Sequence, residues 1–238
     1  MILASINSQT KTIYMTSFMR DLYANIPNVG IRKLNSAYAV GGGPLLVSTI
    51  ESNYRIDIDN YASVDFSSMA NIIDLVGGVD LEVSTQEAGY INMYLDEQCR
   101  LQGLNASDYY VTGGGITHLN GNQAVGFARI RYTSRGSEHS DYGRTSRQRE
   151  ILVQLMQKAR SLDATTLLAV VNNMLPLITH NIDAATLTTL IANAPSYINY
   201  DIQTDRIPYD NMYTNLGEEL VPDFEATINR LHQTIYGN

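Results

Sequence analysis

Asp65-Phe66-Ser67-Ser68-Met69-Ala70-Asn71-Ile72-Ile73-Asp74-Leu75-Val76-Gly77-Gly78-Val79-Asp80-Leu81-Glu82-Val83 is the stretch that decides the fold. Met69, Ile72, Ile73 and Val76 recur at helical spacing, so Phe66 to Val76 predicts a helix with one apolar stripe. Asp65 suits the N-cap, where a carboxylate accepts from a free backbone N–H. Gly77-Gly78 stops the helix, since glycine takes the left-handed conformation without steric cost. Val79 to Val83 then alternates apolar and polar, the period of a half-buried strand. A helix joined to a strand by two glycines is the unit of an α/β protein.

Outward from there the alternation continues. Residues 1–6 and 11–17 are apolar and β-rich around a polar turn, Asn7-Ser8-Gln9-Thr10, and predict a hairpin. A short strand is expected from Val29 to Leu34. Gly41-Gly42-Gly43-Pro44 opens a helix, with Pro44 at its first position. A strand is expected over residues 60–65, a short helix near Ala88 to Tyr94 within loop-rich residues 84–115, and a helix from Asn120 through Phe127. The clearest helix runs from Arg144 to Leu162, with Ile151, Leu152, Leu155, Met156 and Ala159 on one face. Helices are expected over residues 164–175, 184–193 and 223–236, with strand between Ile198 and Ile207. This order predicts a single domain, 1–238, with a central mixed sheet and helices on both faces.

The composition narrows the function. Apolar residues make up 44% and charged residues 17% of the 238, which fits a folded globular chain. The net charge of -8 argues against a nucleic-acid binder, which needs a broad basic face. The single cysteine, Cys99, has no partner for a disulfide and no histidine near it in sequence to activate it. His118, His139, His180 and His232 lack metal-ligand spacing. No run of about 18 apolar residues predicts a membrane span, and no basic leader precedes the first strand, so the reading expects a chain that begins part-way into a longer domain. Gly41-Gly42-Gly43 and Gly113-Gly114-Gly115 lack the Lys-Ser/Thr of a phosphate-binding loop.

Against this acidic background the arginines are concentrated. Of 16 lysines and arginines, Arg129, Arg131, Arg144, Arg147 and Arg149 crowd one region, and Arg20 stands beside Asp21. Arg144, Arg147 or Gln148, and Ile151 share a helix face, so the arginines are expected to line a cleft. Two of them fall in the first turn of the expected helix, where the macrodipole disfavours cations unless an anion binds. If residues 129–131 are extended, Arg129 and Arg131 point the same way with Ile130 in the core; if helical, they diverge. The competing reading is a set of surface ion pairs. Asp21 reads as a general base, a metal ligand or the partner of Arg20; Asp141 reads as a cap or a metal-side carboxylate.

Eight segments together resemble a known family: Thr16 to Asp21, Lys33 to Ala39, Gly41 to Pro44, Val64 to Phe66, Leu75 to Val79, His118 to Ala124, Ala128 to Tyr132 and Asp141 to Gln148. In this order, and over nearly the whole chain, they are similar to the motifs of the LytR-CpsA-Psr domain. The resemblance implies an α/β/α three-layer fold with a hydrophobic tunnel for a polyprenyl chain. It implies a phosphotransferase that moves teichoic acid or capsular glycan from a polyprenyl-pyrophosphate carrier to peptidoglycan, with Mg2+, on the outer face of the cell membrane in Gram-positive bacteria. By position, Arg20, Arg129, Arg131 and Arg144 would hold the phosphates, with Asp21 as candidate base, and Lys33, Asn35, Arg147 and Gln148 would support the substrate. The family's usual acidic metal ligands lie in Gly-x-Asp and Arg-Ser-Asp motifs upstream of the position matched by Met1. The metal ligands are therefore unknown within this stretch, and the transmembrane anchor belongs to the parent protein. The alternative is a module that holds the carrier without turning it over.

Overall fold

A computed structural model describes residues 1–133 and 140–237; His139 lies outside the described residues. In chain order the elements are β1 (Ile2–Asn7), β2 (Thr12–Phe18), β3 (Tyr23–Ile26), β4 (Gly30–Lys33), α1 (Asn35–Tyr54), β5 (Ala62–Ser63), α2 (Phe66–Leu75), β6 (Val79–Val83), α3 (Thr85–Gln102), β7 (Gly115–Leu119), α4 (Gly121–Arg129), α5 (Ser140–Arg160), α6 (Ala164–Met174), β8 (Thr179–His180), α7 (Ala184–Tyr197), β9 (Asp201–Ile207), β10 (Tyr213–Leu216), β11 (Glu219–Pro222) and α8 (Phe224–Tyr236). The class is α/β with mixed strand pairing, as expected. The chain packs as two compact units, residues 1–63 with 180–238, and residues 64–179.

The first unit carries a three-stranded sheet in the order β1-β2-β9. β1 and β2 form the expected antiparallel hairpin, Ile2 opposite Ser17, while β9 runs parallel to β2 with Phe18 opposite Ile207. β2 is central and reads as an almost continuous buried run. β3 and β4 make a second hairpin, and β10 and β11 a third. The expected helix at Gly41–Pro44 is the second part of α1. A first helical segment, from Asn35, meets it across Gly41 and Gly42, where Gly42 takes φ 61° and ψ −152°. Only glycine reaches that region cheaply, and Pro44 cannot donate to the turn before it, so the break falls there.

The second unit holds the stretch from Asp65 to Val83 much as the sequence implies. Asp65 caps α2, its Oδ1 accepting from the Ser68 N–H at 2.7 Å. β6 pairs antiparallel with β7, Val79 opposite Leu119. The core gathers Ile73, Val79, Leu81, Val83, Ile91, Leu95, Leu119, Phe127, Ile130 and Ile151. α3 is longer than expected. A capping box starts it, with Glu87 N–H donating to Ser84 Oγ and Ser84 N–H to the Glu87 carboxylate. α4 opens with a second such box between Asn120 and Gln123. α2 and α4 come into backbone contact at Gly121, where an added Cβ would lie 2.0 Å from the Ala70 carbonyl oxygen.

Two predictions follow from this unit. Gly121→Ala must push α4 off α2, and thermal unfolding should show a loss of about 1–3 kcal/mol. The second concerns Asp80, which accepts from Lys158 Nζ at 2.6 Å and faces His118 Nδ1 at 2.8 Å. Lys158 first, and then His118, hold its carboxyl below the ordinary carboxylate range. A depressed folded value means that the stabilisation is present above the unfolded pKa of about 4 and is lost as pH falls through the folded value. Asp80→Asn should therefore cost on the order of 0.5–1 kcal/mol at pH 7, discounted for solvent screening, and progressively less as pH falls through the folded value. A difference that persists in acid would show that charge is not its source.

Candidate functional site

Arg129 is the last residue of α4, and the helix ends there because Ile130 turns extended, φ −60° and ψ 130°, into the core. The two alternatives for Arg129 and Arg131 are thus both partly met: one stands on the last helical turn, the other just beyond the cap. The Arg129 guanidinium lies over Tyr94, 4.6 Å from its ring centroid, and over Phe66 at 5.1 Å. The Tyr94 hydroxyl donates to the Arg129 carbonyl at 3.2 Å.

α5 begins at Ser140, a turn earlier than the sequence suggests. Arg144 and Arg147 therefore stand beyond the first turn, and Asp141 occupies it, where the macrodipole favours an acid. This corrects the dipole argument for those two arginines. Asp141 lies between two guanidiniums, its Oδ1 2.5 Å from Arg144 Nη2 and 3.9 Å from Arg131 Nε. Arg131 and Arg144 thus share a carboxylate. Arg144 Nε is buried with no hydrogen-bond partner among the described residues. Gln148 is half-buried on α5.

Arg147 is fully buried. Its Nε donates to Glu87 Oε1 at 3.0 Å, its Nη1 to the Ile130 carbonyl at 3.3 Å, and its Nη2 to Thr133 Oγ1 at 2.6 Å and the Thr133 carbonyl at 3.3 Å. Its guanidinium also lies over Phe127, 5.7 Å from the centroid. A buried charge is tolerable only when paired and hydrogen-bonded, and this one donates from each of its three nitrogens. Arg147 therefore ties α5 to the backbone on both sides of Arg131. Glu87 is the residue that sequence reasoning missed. Its signal was the Ser84-x-x-Glu87 box; its second task, facing Arg147, has no local signature.

The first unit assembles a separate group. Arg20 Nε donates to Asp21 Oδ1 at 3.3 Å, and Lys33 Nζ reaches the same oxygen at 3.4 Å and Glu218 Oε2 at 3.1 Å. The Glu218 carboxylate in particular raises the Lys33 ammonium above its ordinary value. The Asn35 N–H donates to the Arg20 carbonyl at 3.1 Å, so Arg20, Asp21, Lys33 and Asn35 are brought together where β2 ends and α1 begins. Among the described residues no three His, Cys, Asp or Glu side chains gather as a metal site. Asp21 and Asp141 each already face two cations. The described residues therefore offer no ready-made site for a divalent cation.

A family model described as the LytR_cpsA_psr family matches residues 1–231. The chain belongs to that family. Among curated relatives, the polyisoprenyl-teichoic acid–peptidoglycan teichoic acid transferase TagU of Enterococcus faecalis is 32% identical over 73% of this chain and 52% of its own length, and that of Oceanobacillus iheyensis is 31% identical over 100% and 69%. The regulatory protein MsrR of Staphylococcus aureus is 34% identical over 62% of the chain and 39% of its own length. The chain spans about half the length of the Enterococcus relative. The structure of TagT bound to LIIa-WTA shares the fold, with a TM-score of 0.74 at 20% identity over 99% of this chain and 83% of that one. Among the described residues no helix is long and apolar enough to cross a membrane.

The Arg147–Glu87 pair has a measurable signature. Arg147→Met leaves Glu87 buried without its cation and should cost about 3–5 kcal/mol in denaturant unfolding. Adding Glu87→Gln removes the stranded charge and should recover part of that loss. Additive losses would mean that the two side chains do not act as a pair.

Proposed function

We propose that this domain binds a polyprenyl-diphosphate-linked glycan and transfers the glycan, with its phosphate, to a hydroxyl of peptidoglycan. The observation that carries the reading is the excess of cations, among the described residues, where α4 ends and α5 begins. Arg131 and Arg144 share Asp141, Arg129 has its carboxylate neighbour Glu97 only at 3.8 Å, and Arg144 Nε is buried and unpaired among the described residues. Guanidinium forks match two phosphate oxygens at once, which a lysine cannot do. Support comes also from the TagU relatives, whose names state a teichoic acid transfer to peptidoglycan.

The chemistry suits such a site. An acceptor hydroxyl attacks the phosphorus bonded to the glycan, a new P–O bond forms, and the bond to the carrier's phosphate breaks. The glycan-phosphate ester is the product, and the carrier leaves as a polyprenyl monophosphate. Negative charge spreads over the phosphoryl oxygens, so fixed cations at Arg129, Arg131 and Arg144 do most of the work. Arg147 acts behind them by holding the backbone at Ile130 and Thr133. The family resemblance adds, in the first unit, Arg20, Lys33 and Asn35 as candidate substrate contacts and Asp21 as a candidate base. Gln148 is the proposed polar contact on α5. Mg2+, an anchor in the membrane and a site outside the cell belong to the proposal for the parent protein.

The relative MsrR, named a regulatory protein, favours a second reading in which the carrier is held without turnover. One pair of experiments separates them. Purified chain should bind a polyprenyl diphosphate, and Arg129→Ala or Arg131→Ala should each weaken binding by about tenfold or more. Binding unchanged in both variants would remove the site assignment. Labelled glycan appearing on peptidoglycan, lost in the same variants, supports transfer; binding without transfer, with Mg2+ supplied, supports the second reading.

A further inference from the structure

The Arg129 guanidinium is oriented by rings more than by carboxylates. Tyr94, from the middle of α3, lies 4.6 Å from its central carbon, and Phe66, the first residue of α2, lies at 5.1 Å. Glu97 stands 3.8 Å away at the far edge of ion pairing, and is itself more than half exposed. The distinction has a chemical consequence. A carboxylate that orients arginine uses the N–H edge that would otherwise bind an anion. A ring face attracts the cation through its quadrupole and leaves the five N–H donors unused.

Phe66 has little else to do at its position. The residue is 57% exposed, whereas the buried residues of α2 are Ala70, Ile72 and Ile73. Yet its place is closely set. The Asp65 cap fixes the first turn of α2, and the Gly121–Ala70 backbone contact locks α2 against α4, whose last residue is Arg129. Tyr94 holds the same residue twice, by its ring under the guanidinium and by its hydroxyl on the backbone carbonyl.

We propose that Phe66 and Tyr94 are positioning residues that set the plane of the Arg129 guanidinium and keep its donor edge open for the diphosphate. The proposal rests on the reading that Arg129 is a diphosphate contact. It makes an exposed aromatic at the start of α2 part of the anion site although it offers no charge and no hydrogen bond.

The test uses the full chain and inorganic pyrophosphate as probe, so that any contact of Phe66 with a lipid tail cannot contribute. Dissociation constants are measured for wild type, Arg129→Ala, Phe66→Leu, Phe66→Tyr and Tyr94→Leu, with melting temperature as a control. Phe66→Leu and Tyr94→Leu should each weaken binding about two- to fivefold, the worth of one exposed cation–π contact. Phe66→Tyr, which keeps the ring, should bind as wild type does, and Phe66→Leu should melt within about 2 °C of wild type, since the position is exposed. Phe66→Leu binding like wild type while Arg129→Ala fails would overturn the positioning role and leave the proposed function standing. Equal loss in Phe66→Tyr and Phe66→Leu would also overturn it. Arg129→Ala binding like wild type would overturn the positioning role together with Arg129 as a diphosphate contact.

Discussion

The ion pair between Arg147 and Glu87 is the constraint on which the second unit depends. Both side chains are withdrawn from water, at 0% and 2% exposure, so neither charge can be left alone without a cost of several kcal/mol. The pair joins the first turn of α3 to α5, and the remaining guanidinium donors pin the backbone at Ile130 and Thr133. Glu87 serves two partners at once, since it also closes the box that starts α3. An arginine that would read from sequence as one more anion ligand is thereby the internal brace for those that face outward. The division of labour is set by depth: Arg147 has no solvent access, whereas the side chains of Arg129 and Arg131 keep 30% and 45%.

Much of the fold was legible wherever local chemistry and tertiary packing agree. The Asp65 cap, the α2 stripe, the Gly77-Gly78 stop, strand β6 and the β1–β2 hairpin stand as read, because each rests on a turn residue or a period that packing then uses. α3 was under-read because Gly89, Asn92 and Asp96 interrupt the apolar pattern, while its capping box supports 18 residues. Strands β3, β7, β10 and β11 are five residues or shorter, too short for an alternation to rise above chance, and β7 finds its partner β6 across the whole of α3.

The candidate site divides the same way. That arginines crowd residues 129–149 is visible in the sequence, and so is the acid beside Arg20. Which arginine is buried is not visible, because it depends on Glu87, 60 residues away. The start of α5 at Ser140 was also hidden, since Ser140 to Gly143 carries no apolar residue on the helix stripe. That shift of one turn changes Asp141 from a flanking cap into a side chain of the first turn, facing Arg144 three residues on.

The backbone contact of Gly121 with Ala70 reaches beyond packing. Where two helices touch main chain to main chain, neither can slide or roll without a clash, so the front of α2 and the tail of α4 must travel as one body. A ring carried by one and a cation carried by the other then keep their separation through the fluctuations that loosen ordinary side-chain interfaces. The smallest residue in the chain acts here as a rivet, and a β-carbon at that position would force the two helices apart.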